Sequence, residues 1–325
     1  MGRAKSVNAD SLMKGTLPPS PSFTCIVGGA VSIANCPGNR EKMTISNLVE
    51  QCEMDARVDD VPRILRHIHE SVHDHLGTET IRTHLPSRKN AKGDTQQPYD
   101  VAADAIILRV LETHVGSGIL WSEESGEVRF GDGRPLYRFV VDPVDGSDNW
   151  GRGLPLSAVS VAVLPTDSPI TPARVCWAMV GDLRERLPLT AHRGNGGYHG
   201  SRRICTSGVQ TLSTAFLSCE LNHFDPPPSV GRLLQRARGV RAYGCASQAM
   251  TMVATGALDV HVDLRGRLTP ENFLAAALIL EESGGCVVTT DGQPLHQVDS
   301  LISKTNLIAA ATAELAQEVV DALVE

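Results

Sequence analysis

Apolar residues recur at intervals of three and four between residues 62 and 76, at Ile64, Leu65, Ile68, Val72 and Leu76. That spacing predicts an amphipathic helix with Asp59 or Asp60 as its cap, Pro62 in its first turn and Gly77 as its stop. A second stripe, Ala103, Ile106, Ile107, Val110 and Leu111, predicts a helix with Asp100 in its first turn and Asp104 one turn later on the same side. The mostly apolar runs 118–121 and 137–141 read as short buried strands. Pro143 has no amide to give a ladder, so the second of them is expected to stop there. Farther on, strands are expected at 155–164, 175–180, 187–191, 215–219, 257–262, 286–289 and 307–311, with a link between halves at 165–172. Helices are expected near 230–237, 247–255, 273–283 and 313–324, with Thr312 placed to cap the last. The mixture suggests α+β organisation in an N-terminal half, 43–168, and α/β in a C-terminal half, 169–325, after an extension over 1–42.

Both early strands deliver acids to their carboxyl ends. After the first come Ser122, Glu123, Glu124 and Ser125; after the second come Asp142, Pro143, Val144, Asp145, Gly146 and Ser147. Ligands in open α/β sheets gather beyond the carboxyl ends of strands, so the two acidic segments are expected to face one crevice. Asp142 and Asp145 offer hard oxygen donors of the kind that Mg²⁺ accepts alongside water and phosphate oxygens. Gly146 lets backbone approach a ligand closely, and the amides of Gly146 and Ser147 suit an anion where a helix begins. Each segment also has a plainer reading. Asp-Gly turns and Glu-Glu pairs are common in solvated loops, and Asp100 and Asp104 can serve as caps or dipole partners.

Charge narrows the range of partners. A formal net charge of -7 without a dense basic stripe argues against nucleic acid, so affinity for phosphate has to come from bound cations. The chain of 325 residues, with 42% hydrophobic and 21% charged, is ordinary for a globular protein and long enough for two substantial cores. The apolar piece 25–36 is too short to span a bilayer, so no membrane role is expected. Residues 1–42, broken by Pro18, Pro19 and Pro21, read as a disordered extension, with a transit peptide as the competing reading and a cytoplasmic address as the default. The eight cysteines include no C-x-x-C pair and read as reduced core residues. His69-Glu70-Ser71-Val72-His73 spells the H-E-x-x-H pattern of zinc proteases. These histidines, with His67 and His75, fall mostly off the apolar stripe and read as a solvated face. No P-loop occurs, and the run 142–153 lacks the third-position donor and closing Glu of an EF-hand.

Four motifs in order carry a resemblance: Gly93-Asp94-x-Gln96 with Asp100, Trp121-Ser122-Glu123-Glu124, Asp142-Pro143-Val144-Asp145-Gly146-Ser147, and Glu281-Glu282-Ser283-Gly284-Gly285. Over residues 44–325 the chain resembles the Mg²⁺-dependent, lithium-sensitive phosphatases that include inositol monophosphatases and fructose-1,6-bisphosphatases. The resemblance implies a layered α-β-α-β-α sandwich, two or three Mg²⁺ ions, a small phosphorylated metabolite as substrate and a homodimer. It also implies roles. Glu123 would bind the first cation and help activate the attacking water; Asp142 would bridge two cations; the Val144 carbonyl would join the first and Asp145 the second. Gly146 and Ser147 would cradle phosphate, the Ser147 hydroxyl helping to orient the water, and Asp100 would complete a weaker third position.

Two places depart from the pattern. The last acidic ligand is expected at residue 272, where the chain has Asn272; an amide oxygen supplies no charge, and the neighbouring Glu271 is the preferred substitute. Were neither to serve, a slow enzyme or a phosphate-binding relative would result. Seven residues earlier, where inositol phosphatases carry an acid, stands Arg265, closely followed by Arg267. Guanidinium groups suit a second phosphate, which keeps fructose 1,6-bisphosphate or a 3'-phosphorylated nucleotide as the alternative to a polyol or sugar monophosphate.

Overall fold

The computed structural model describes residues 60–78, 88–89 and 95–324. The extension 1–42, Asp59 and the Gly93-Asp94 pair lie outside them. The first stripe forms α1 (Val61–Thr78) and is buried, and the second forms α2 (Pro98–His114), which packs against α1. The stripe of α1 is wider than its apolar residues suggest. His69 is fully buried, and its Nε2 hydrogen-bonds the Asp182 carbonyl at 3.0 Å. A carbonyl can only accept, so Nε2 carries the proton. There is room for the ring only because its neighbour is Gly181, where a Cβ would lie 2.2 Å from it. The expectation of a solvated histidine face therefore fails at His69, whose position on the helix adjoins Leu65 and Val72. His67 and His75 are exposed as expected.

A two-stranded ladder, β1 (Arg88–Lys89) and β2 (Thr95–Gln96), precedes α2. The main sheet then contains β3 (Gly118–Ser122), β4 (Gly126–Phe130), β5 (Tyr137–Asp145), β6 (Ala158–Pro165), β7 (Trp177–Asp182), β8 (Leu189–His192), β9 (Gly196–His199) and β10 (Arg202–Arg203). Its order is β10-β9-β8-β7-β6-β5-β3-β4, and only the β3/β5 pair is parallel. The short helix α3 (Ser147–Gly151) follows β5.

β5 does not end at Pro143. It continues to Asp145, with a register shift: Asp142 pairs with Ser160 and Asp145 with Ala158. Three steps on β5 thus oppose two on β6, which is a bulge of one residue. Positions three apart on a regular strand face opposite sides. The bulge returns Asp145 to the side of Asp142. The proline explains why pairing is irregular there, but not a termination.

A second sheet has the order β12-β11-β13-β15-β14, built from β11 (Phe216–Cys219), β12 (Gly239–Arg241), β13 (Val260–Leu268), β14 (Cys286–Val288) and β15 (Thr305–Ala310). Between the sheets lie α5 (Ala246–Ala254) and α6 (Pro270–Glu282); α4 (Pro228–Arg236) and α7 (Ala313–Val324) cover the far side of the second sheet. Every residue from Phe273 to Leu280 is buried, which is what a helix sandwiched between two sheets requires and a one-sided stripe would not provide. With α1 and α2 on the outer face of the main sheet, the layers run α-β-α-β-α, as expected. Cys205, Cys219, Cys245 and Cys286 are free, but Cys176 is disulfide-bonded, contrary to the expectation of eight reduced thiols. Spacing along a sequence does not report which cysteines approach in space.

Candidate active site

Parallel pairing puts Ser122 opposite Val141, and the Glu123 amide extends the ladder by donating to the Val141 carbonyl at 3.1 Å. Glu123 therefore emerges beside Asp142 at the carboxyl ends of the only two parallel strands of the main sheet, the position where such sheets collect ligands. α2 reaches the same place. The Tyr99 hydroxyl donates to the Ser147 carbonyl at 2.9 Å, which brings the first turn of α2 to the start of α3.

Each acid is held differently. Asp100 is 4% exposed; one oxygen accepts the Gln97 amide at 2.9 Å, a capping bond as the plainer reading expected, while Oδ1 is buried without a hydrogen-bond partner. Burial pushes its pKa up to about 8, and the charges of Glu124, Glu123 and Asp148 push the same way against the Gln97 bond. Asp142 turns Oδ1 back onto the Val144 amide at 3.0 Å, and its Oδ2 accepts Asn272 Nδ2 at 3.0 Å. Asp145 gives Oδ2 to the Ser247 amide at 2.7 Å, the Ser247 hydroxyl at 2.6 Å and Cys245 Sγ at 3.3 Å. Burial still raises its pKa despite those bonds, and the Glu123 charge adds to the rise.

Gly146 sits in the left-handed region at φ 78°, and a Cβ there would come within 2.8 Å of the Leu156 carbonyl and 3.0 Å of Cys245 Cβ. Asn149 secures this corner by donating to the carbonyls of Leu156 at 3.0 Å and Tyr243 at 2.7 Å. Glu220 Oε1 holds the opposite side, accepting the Tyr243 and Gly244 amides at 3.2 and 2.9 Å. Of the two candidates at the start of α6, Asn272 faces Asp142. The Glu271 carboxylate hydrogen-bonds the Thr269 hydroxyl. Asn272 Oδ1 already accepts the Thr269 amide at 3.1 Å and hydroxyl at 3.0 Å in a helix-capping arrangement. Arg265 is clamped by Asp263 through Nε at 2.9 Å and Nη2 at 2.5 Å, so its charge is matched within the chain, and Arg267 is exposed.

Asp100, Glu123, Asp142 and Asp145 are thereby brought to one place, with Gly146 and Ser147 at its edge. Sequence reasoning missed Tyr99, Cys245 and Ser247, because hydrogen bonds across 48 residues, as from Tyr99, or 100 and more, as from Cys245 and Ser247, leave no local periodic trace. The donor set is oxygen-rich, and Asp100 Oδ1 has an unfilled position, which suits a hard cation. Among the described residues no three His, Cys, Asp or Glu side chains are already drawn together as a ligand set. No helix among the described residues is long and apolar enough to cross a membrane.

Known proteins resemble this chain in sequence and in fold. The chain is 30% identical to a fructose-1,6-bisphosphatase/inositol-1-monophosphatase of Thermococcus kodakarensis over 72% of its length and 85% of the relative's. It is 28% identical to Nus factor SuhB of Pseudomonas aeruginosa over 70% and 81%. The fold matches the Thermotoga maritima inositol monophosphatase with a TM-score of 0.66 at 22% identity, covering 83% of this chain and 97% of that one. It matches the Bartonella henselae extragenic suppressor protein suhB at 0.68 and 22%, covering 83% and 98%. The sequence model of the inositol monophosphatase family matches residues 61–325, from α1 to the carboxyl terminus, and the chain belongs to that family.

Proposed function

We propose that this chain is a Mg²⁺-dependent phosphomonoesterase that releases phosphate from a small polyol or sugar phosphate. The observation that carries the reading is the convergence of Asp100, Glu123 and the two aspartates of the β5 bulge at the ends of β3 and β5. Glu123, Asp142, the Val144 carbonyl and Asp145 would hold the cations, with Asp100 at a weaker third position. Bound there, Mg²⁺ supplies neutralisation of the phosphate charge and a lower pKa for water. Glu123 takes the proton of the attacking water, and the Ser147 hydroxyl orients that water. Gly146 and Ser147 would cradle the phosphate, and only glycine fits the left-handed turn at 146, where the Leu156 carbonyl and Cys245 leave no room for a Cβ. At the start of α6, Asn272 meets the site through its hydrogen bond to Asp142, with Glu271 beside it. A homodimer and a cytoplasmic address belong to the same reading and rest on the resemblance.

Phosphate release from inositol 1-phosphate and fructose 1,6-bisphosphate, each with Mg²⁺ and with EDTA, tests the proposal. Asp142→Asn should cost more than the roughly 10- to 100-fold typical of outer hydrogen-bond partners of a metal site, because it removes the charge of a residue that would hold the cations directly. Full activity in that variant would refute the assignment. The bisphosphate belongs in the panel because the Thermococcus relative carries both names. The Asp263 clamp on Arg265 favours the monophosphate, since the guanidinium is no longer free to meet a second phosphate.

A further inference from the structure

Asp104 lies one turn beyond Asp100 on α2, yet it does not cap the helix and is almost wholly buried, at 8% exposure. Its Oδ1 accepts the Ser122 hydroxyl at 2.5 Å, and the Ser125 side chain is near enough to favour the charged carboxylate. Ser122 in turn accepts the Glu124 amide on its Oγ at 3.2 Å. These bonds close around one turn: Ser122 ends β3, Ser125 is the last residue before β4, and Glu123 and Glu124 are the two residues between them. The Glu123 amide fixes the other side of the turn on β5. Burying a carboxylate is costly, and burial raises the pKa of Asp104 even though the serine bonds oppose the rise. A merely structural tie between a helix and a strand end can be made by apolar contact alone, as α2 and the sheet already do through Ile107 and Leu120.

We propose that Asp104 is a positioning residue, which holds the Ser122–Ser125 turn so that Glu123 presents its carboxylate to the cation. This rests on the phosphatase reading, in which Glu123 is a ligand. Asp104 itself touches neither cation nor substrate. Groups that orient metal ligands from outside typically change affinity or activity about 10- to 100-fold when removed.

The test compares wild type, Asp104→Ala, Asp104→Asn and Ser122→Ala as the full chain. Mg²⁺ binding is measured by calorimetry without substrate, and the Mg²⁺ dependence of phosphate release is measured separately. Asp104→Ala should weaken Mg²⁺ binding by about 10-fold or more and raise the half-saturating Mg²⁺ concentration by the same factor, while kcat at saturating Mg²⁺ changes less. Asp104→Asn keeps an oxygen acceptor for Ser122 and should recover most of the loss. Ser122→Ala should reproduce the effect, and keeps the proposal open to refutation if Asp104→Ala fails to fold. Wild-type Mg²⁺ affinity in folded Asp104→Ala or Ser122→Ala would overturn the positioning role and leave the phosphatase reading intact. If wild type binds no Mg²⁺, the phosphatase reading fails, and the positioning role falls with it.

Discussion

Asn272 stands beside Asp142 and donates to it, where an acidic residue was expected. An amide proton offsets part of a carboxylate's charge without recruiting a cation, so wild type should tolerate loss of Mg²⁺ better than a chain with an acid there. Asn272→Asp should therefore bind Mg²⁺ more tightly. Its cation-free form should be destabilised by about 1–3 kcal/mol, the scale of a buried partner left without its hydrogen bond. Calorimetric titration and urea unfolding in EDTA measure the two effects, and a tighter site without the stability loss would show that the Asn272–Asp142 bond carries no weight. At this scale the sequence was a good guide to the acids on β5 and after β3, since they sit next to strands with a clear apolar pattern. It was a poor guide to the groups that bind them. Ser247 and Cys245 approach Asp145 from the start of α5, and nothing around Asp145 in the sequence points there. Glu271 and Asn272 are adjacent, so only geometry separates their directions.

The elements with the strongest periodicity were legible: α1, α2 and α7 lie where the pattern puts them. The edge strands β4 and β10 and the peripheral β9 and β12 were not, because exposed or glycine-containing strands lack an apolar signature. α6 is the opposite case. It is apolar on all sides, so its run of leucines, alanines and Phe273 shows that it is buried but not which layer it occupies. Phe273 is 1% exposed and sits next to Asn272 in the layer between the sheets. Phe273→Ala should cost about 3–5 kcal/mol in urea unfolding, the range for removing a buried aromatic ring. It should also weaken Mg²⁺ binding, because the first turn of α6 contacts Asp142. A loss of stability with no change in Mg²⁺ affinity would mean that α6 supports the fold without bracing the site.

The molecule as a whole concentrates acidic side chains in one interior region, and its stability should report that. Burial raises the Asp100 pKa from an ordinary 3.8 to about 8, so the folded chain holds this proton more tightly than the unfolded one. The stabilising contribution of this group is present in full below about pH 4, declines as pH rises and is gone above about pH 8. In EDTA, the Tm of Asp100→Asn should overtake that of wild type progressively across this window. Saturating Mg²⁺ should close the gap for wild type, since a bound cation reverses the preference for the protonated form. A pH-independent difference between the two proteins would contradict the burial of Asp100. The layer order was expected from the family resemblance, and pattern alone reached only the mixture of helices and strands. The inserted residue in β5 also constrains how this protein can change. Replacing Val144 alters contacts, whereas deleting any one residue between the two aspartates would straighten the strand and turn Asp145 toward the outer helices. Descendants of this chain can vary the letters of that stretch far more freely than they can vary its length.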